Sequence, residues 1–180
     1  GLYLKKKNLH ENLGFYLSGM LDNMSSRGPD SAGFAIYNRS KKLDEYKYSL
    51  RFNDKKIIEN FDYEIKKKFN VSSAKIISDH IILQTSAKPN KFILYLQEHF
   101  QNISIVGYGK SIEIFKQVGN PKQGVKKLSL DKFTGSHGIG HTRMATESAI
   151  TVDGSHPYST GQDECLVHNG SLSNHNNIRR

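Results

Sequence analysis

Gly138-Ile139-Gly140-His141-Thr142-Arg143-Met144-Ala145-Thr146 is the stretch on which the fold of this chain turns. Gly138 to His141 reads as a short buried strand, and the polar residues after it arrive at a strand end, where binding groups tend to gather. Arg143 follows that buried segment, so its guanidinium needs a partner, and a carboxylate accepts its two-pronged fork. A structural ion pair with Asp30 or Glu147 is the plainer alternative. Two further clusters are equally far from background composition. Arg27-Gly28-Pro29-Asp30-Ser31-Ala32-Gly33 joins a helix to a strand, and by itself is also a tight turn with Pro in second place. His168-Asn169-Gly170-Ser171-Leu172-Ser173-Asn174 follows a second short buried strand, Cys165 to Val167, and is preceded by the turn Ser155-His156-Pro157-Tyr158.

Working outward, Leu13 to Met24 has the spacing of an amphipathic helix, with Leu13, Tyr16, Leu17, Met20, Leu21 and Met24 on one face. The polar turn Ser25 to Asp30 leads into a strand over Ala32 to Tyr37. Between Ser40 and Thr134 the pattern changes. Helices are expected over Ile57–Phe69, with Ile58, Phe61, Ile65 and Phe69 inward, and over Lys91–Phe100. Strands are expected over Ala74–Leu83, Ile103–Val106 and Ile112–Val118. The reading is one domain over residues 1–180 with a basic α/β insertion, residues 40–134, that has a small core of its own.

Composition excludes several classes. The 180 residues, 36% hydrophobic with nine Tyr and nine Phe, suffice for one domain with a real core. One Cys excludes an intramolecular disulfide framework and a zinc site built on several thiolates. No apolar run approaches the roughly 20 residues of a membrane-spanning helix, and the Gly1-Leu2-Tyr3-Leu4-Lys5 opening is not a secretory signal. A cytoplasmic protein with no membrane role is expected. The net charge is +9, and residues 40–134 carry 17 Lys and Arg51 against 10 acidic residues. These lysines alternate with apolar residues and Glu at helical or strand spacing, as solvated faces do, so no nucleic-acid partner is expected. His137, His141, His156, His168 and His175 lack accompanying carboxylates at ligand spacing, so no metal is expected. A start at Gly1 without Met and an end at Arg180 without a helix-stop signal lead us to expect a chain incomplete at both ends.

These groups suit the capture and hydrolysis of a small amide. The Asn169 side chain and the unhindered Gly170 N–H together suit a developing oxyanion, although Asn-Gly is also a leading hairpin turn. Thr142 and Thr146 supply hydroxyls for orientation. A nucleophile is missing: there is no Gly-x-Ser-x-Gly elbow, and Cys165 reads as a small buried apolar side chain. His168 reads as a satisfied core histidine.

RGPDSAG, GHTRMATES and HNGSLSN, in that order, resemble the glutaminase domain of the class II (N-terminal nucleophile) glutamine amidotransferases. GHTRMATES, SHPY and VHNGSLSNHNNIRR are most similar to the amidotransferase subunits related to glutamate synthase and N-methylglutamate synthase. The resemblance spans Gly1 to Tyr37 and Thr134 to Arg180 well and the insertion only in general character. It implies an α+β domain, a four-layer αββα sandwich, and a mature start Cys-Gly-Ile-x-Gly of which Gly1 is the last residue. It implies that an N-terminal Cys, with its own α-amino group as base, attacks the carboxamide of L-glutamine. Glutamate and ammonia result, the latter passing to a synthase subunit or domain. By resemblance Arg143 holds the glutamine α-carboxylate, and Asn169 with Gly170 forms the oxyanion hole. Met144 and Thr146 position substrate, Arg27 and Gly28 support the nucleophile, and His156 is a structural pocket residue. No cofactor is implied here; flavin and iron–sulfur centres belong to the synthase partner. The resemblance also leaves room for a catalytically dead regulatory or scaffold subunit, and for the glutaminase part of an amidophosphoribosyltransferase.

Overall fold

The computed structural model describes residues 1–39, 42–54, 56–145 and 149–170. These residues form an α+β fold around two four-stranded antiparallel sheets. In chain order the elements are β1 (Leu2–Tyr3), α1 (Leu13–Met24), β2 (Ser31–Tyr37), β3 (Tyr46–Phe52), α2 (Ile57–Lys68), β4 (Val71–Ile77) and β5 (His80–Thr85). There follow α3 (Pro89–His99), β6 (Ile103–Gly109), β7 (Ile112–Val118), α4 (Pro121–Lys127), β8 (His137–Arg143), β9 (Tyr158–Gly161) and β10 (Glu164–Leu166). The first sheet runs β1-β8-β2-β7, the second β4-β5-β3-β6, and β9 pairs with β10 alone.

Alternation sets the two faces of the first sheet. Phe34 lies opposite Phe115 on one side and Gly140 on the other, and Ile36 lies opposite Gly138. This face is packed by α1 through Leu13, Leu17 and Leu21. A Cβ on Gly138 or Gly140 would come 3.0 Å from Leu17 or 2.9 Å from Leu21, so bare backbone in β8 lets the helix sit close. That close approach narrows the buried stripe of α1. Tyr16, Met20 and Met24, expected inward, are instead 42%, 44% and 44% exposed, because they lie on the neighbouring ridge, which reaches past the sheet. The core of the second sheet is drawn from Tyr48, Leu50, Phe52, Ile81 and Leu83 under Phe61 and Ile65 of α2 and Phe92 and Leu96 of α3.

The single strand expected over Ala74–Leu83 is two strands. Ser78 adopts a left-handed φ of 60°, and Ser78-Asp79 turns the chain so that Ile77 lies opposite His80. The polar Ser-Asp-His run inside that apolar stretch is the tip of a hairpin. Its reverse face, with that of β3, closes the outer edge of β7, where unpaired N–H groups would otherwise be buried. Ser49 Oγ accepts from Ile114 N at 2.9 Å, and His80 Nε2 accepts from Lys116 N at 3.2 Å. The other ring nitrogen of His80 lies 3.1 Å from Asp79 Oδ1, and Asp79 also accepts from Arg51 Nε at 2.9 Å. Burial raises the Asp79 pKa, but the hydrogen bond from the His80 ring and the Arg51 charge outweigh it, holding the carboxyl well below its usual range.

Sheet two with its helices is built from residues 46–109, whereas β7 and α4, from the same 40–134 stretch, join the first sheet and the α1 layer. The Cys165–Val167 strand is displaced by one residue and, among the described residues, pairs only with β9. Glu164 and Leu166 are exposed, and Cys165 alone packs inward, beside Ala35, Ile112 and Ile114.

Candidate functional site

The site face of the first sheet is the one turned away from α1. On it stand Ile139, His141 and Arg143 of β8, Ser31, Gly33 and Ala35 of β2, and Ile114 and Lys116 of β7. The registers set them in cross-strand rows: Ile139–Ala35–Ile114, His141–Gly33–Lys116, and Arg143–Ser31. Strand β8 runs two residues further than the sequence suggests, so Arg143 ends the strand rather than follows it.

Gly33 is the gap in the middle row. A Cβ there would lie 2.2 Å from the His156 carbonyl oxygen, so the Ser155–Pro157 loop rests directly on the sheet at that point. His156 is thereby held between His141 and Lys116. The His141 and His156 rings stand 4.2 Å apart at 36°, and Tyr158 meets His156 edge-on at 4.5 Å. His156 is 9% exposed. Burial, and then the charges of His141, Lys116, Arg143 and His168, push its pKa down to about 4. His141 is likewise lowered, by burial and by the His168 and Arg143 charges. Both imidazoles are therefore neutral at pH 7. The Nδ1 atoms of His141 and His156 and the Ser31 Oγ beside Arg143 are buried with no hydrogen-bond partner among the described residues, which leaves three polar positions of the site unspent.

The Arg27–Asp30 turn is clamped to the end of β8. Gly28 is buried, and a Cβ on it would lie 2.4 Å from the Thr142 carbonyl carbon and 2.6 Å from Arg143 N. Asp30 N donates to Arg143 O at 3.1 Å, and the Asp30 carboxylate accepts from Ala145 N at 2.7 Å. Asp30 thus holds the backbone beyond Arg143. The Arg143 guanidinium donates through one NH to Ala149 O at 3.4 Å. Thr142, expected to orient a ligand, points to the α1 side and donates to Met24 O at 3.1 Å, because alternation sends it to the face opposite Arg143.

Of the other residues singled out from sequence, Arg27 is exposed at the end of a 3-10 turn, Ser25–Arg27. Met144 is 61% exposed, so only its backbone is placed beside the site. Asn169 and Gly170 are exposed and follow β10 outside any described strand. Gly170 has a φ of 151°, and a Cβ on it would meet the His168 ring at 3.1 Å. The charge of His168 is felt at both His141 and His156, which sets His168 within electrostatic reach of that pair. Thr146, Glu147 and residues 171–180 lie outside the described residues.

Two contributors escaped the sequence reading. Lys116 stands two residues beyond Ile114 on the inward face, and strict alternation from Ile112 and Ile114 would have placed it there. Asp163 fills the β9–β10 turn with a left-handed φ of 57°, and its carboxylate accepts from Lys110 N, Ser111 N and Ile112 N at 2.7–3.0 Å. No local signal announces that role.

No family model matches the chain. The whole chain is 42% identical over 187 residues to the glutamine amidotransferase-like protein GlxB of Rhizobium meliloti. It is 28% identical over 192 residues, 99% of the chain, to a putative glutamine amidotransferase of Methanothermobacter thermautotrophicus. A shorter part, 44% of the chain, is 32% identical over 81 residues to 14% of a glutamine–fructose-6-phosphate aminotransferase (isomerizing) of Methanococcus maripaludis. The chain spans 60% and 62% of the length of the first two proteins. No helix among the described residues is long and apolar enough to cross a membrane. Along its whole length, then, what this chain is similar to is a pair of proteins named as glutamine amidotransferases or amidotransferase-like.

Proposed function

We propose that this chain is the glutaminase domain of a class II glutamine amidotransferase, hydrolysing L-glutamine and delivering ammonia to a synthase partner or domain. The observation that carries the reading is a register. Leu2 lies opposite Gly138 and Tyr3 opposite His137, so partners across β1 and β8 sum to 140. A strand prolonged ahead of Gly1 in that register brings the residue four places earlier opposite Arg143. A nucleophile there would sit beside the Arg143 guanidinium, next to the turn that Gly28 seats on Thr142.

In this reading Arg143 takes the glutamine α-carboxylate as a bidentate pair, and the Asp30 clamp on Arg143 O and Ala145 N fixes that guanidinium's backbone. Asn169 and Gly170 face the developing oxyanion; the left-handed φ of Gly170 turns its N–H in a way a side chain would oppose. Met144 and Thr146 lie on the stretch that positions substrate, and Arg27 and Gly28 brace the nucleophile. His156 walls the pocket, kept neutral by burial and neighbouring cations. Electron-transfer groups, where the ammonia acceptor needs them, belong to the partner, and the four-layer sandwich is the architecture that goes with this chemistry.

The test is peptide mapping of the intact protein after 6-diazo-5-oxo-L-norleucine, together with glutamine kinetics of Arg143→Lys. An adduct on a cysteine four residues ahead of Gly1, and a kcat/KM for glutamine lowered at least 100-fold in the variant, are expected, since one ammonium cannot replace a planar fork. No adduct in the intact protein leaves a scaffold that has lost its chemistry and overturns the proposal. Unchanged glutamine kinetics in Arg143→Lys removes the carboxylate clamp.

A further inference from the structure

Tyr158 divides two environments. His156 meets its ring edge-on from the site described above, and Lys116 Nζ stands over the ring 4.8 Å from its centroid. Next to it lies a cavity of about 200 Å³ whose lining includes Arg51, Ser104, Lys116, Asp153, Tyr158 and Ser159. We propose that this cavity binds a compact oxyanion, a carboxylate or phosphate group, with Lys116 as its principal charge partner.

Lys116 is 7% exposed, and an ammonium at that depth calls for a counter-charge. Among the described residues its side-chain ammonium makes neither a hydrogen bond nor an ion pair; the bond to His80 comes from its backbone N–H. The Tyr158 ring face supplies a weak substitute. Burial lowers the Lys116 pKa, and Asp153, acting through space, opposes that shift only in part. Arg51 is fixed at the cavity wall by Asp79 at 2.9 Å and by Asn53 at 2.8 Å, so its remaining donors are preorganised. The hydroxyls of Ser104 and Ser159 add donors that an oxyanion can use. Two cations face one carboxylate within the lining, which favours a ligand bearing a single negative group. The volume is below the roughly 300 Å³ at which sites for drug-sized ligands begin, so the occupant has few heavy atoms.

The test is NMR titration of the ¹⁵N-labelled intact protein with sodium phosphate and, separately, sodium acetate, at ionic strength fixed with sodium chloride. Saturable shifts at the Ser104, Asp153 and Ser159 amides are expected with at least one of the two, and the tighter anion identifies the group recognised. Lys116→Met should raise the Kd at least tenfold. Ser159→Glu, at an exposed position where folding is not at stake, should do the same by placing a carboxylate at the rim. Shifts that do not saturate with either anion, or a Kd unchanged in Ser159→Glu, overturn the site.

Discussion

Gly28→Ala isolates the contact on which the site's geometry rests. The φ of Gly28 is −148°, which any residue adopts, so the substitution tests space alone. The new methyl carbon would lie 2.4 Å from the Thr142 carbonyl carbon and 2.5 Å from its oxygen. Ordinary carbon contacts are about 3.5 Å, so the turn must move about 1 Å from β8. Everything it would strike is backbone, held in the β2–β8 ladder, and cannot swing aside. A shift of that size stretches the 3.1 Å bond from Asp30 N to Arg143 O out of range and weakens the 2.7 Å bond from Ala145 N to Asp30. Overpacking costs about 1–3 kcal/mol and each lost bond about 1 kcal/mol, so about 3 kcal/mol is expected. With a urea m-value of about 2 kcal/mol/M, the unfolding midpoint should fall by about 1.5 M. Gly19→Ala is the opposite-signed control: nothing lies within 4 Å of its Cβ, on an exposed face of α1, and the midpoint should rise as about 0.5–1 kcal/mol of helix entropy is recovered. If Gly28→Ala leaves the midpoint within 0.3 M of the parent, by the same m-value a change of about 0.6 kcal/mol, the turn is not seated on the backbone of β8.

Two other outcomes follow from the same contacts. His156 takes up its proton near pH 6.5 when unfolded but only near about 4 when folded, so the unfolded chain binds the proton first as pH falls. Its contribution is whole above pH 6.5 and lost progressively toward pH 4, by up to about 3 kcal/mol; urea midpoints from pH 7 to 4 should show a slope that His156→Gln flattens, and an identical slope in that variant refutes the assignment. Asp163→Ala strands three backbone donors of the β6–β7 turn and should cost about 2–4 kcal/mol by urea unfolding; a loss below 0.5 kcal/mol, smaller than one typical hydrogen bond, would show that water replaces the carboxylate.

Periodicity exposed the parts of the fold that neighbours in sequence decide. The Leu13, Leu17, Leu21 stripe of α1, the buried strand β2, the alternating β7 and the Phe61–Ile65 face of α2 all follow from spacing, and the structure places them as spaced. Width was not legible. Tyr16, Met20 and Met24 fit the same helical arc as the leucines, and only the glycines of β8, more than 110 residues away in sequence, narrow the contact enough to leave them outside. The hairpin at Ser78-Asp79 was hidden because Ile76, Ile77, Ile81 and Ile82 read as one apolar run, and a Ser in the left-handed region carries no Gly or Asn to mark it.

The candidate site was legible as residue types and illegible as an arrangement. Arg143, Asn169 and His156 stand out for their chemistry, yet what seats His156 on the strand next to that of Arg143 is the row His141–Gly33–Lys116 with the His156 backbone resting in its gap. Gly33 does there what Gly28 does at Thr142: it removes a side chain so that a distant loop can lie on a strand. Neither requirement has a local signature, because each glycine answers to an atom more than 100 positions along the chain. The polar residues of β3 and β5 work by the same logic in reverse. Ser49 and His80 look like surface residues of alternating strands, but they close the open edge of β7 and so bury Lys116 beside the site. Lys116, a cation that adds to burial and His141 in lowering the His156 pKa and that lines the neighbouring cavity, is therefore placed by β7 and covered by the second sheet. A change to Ser49 or His80, remote from every motif in the sequence, reaches the site by releasing that edge.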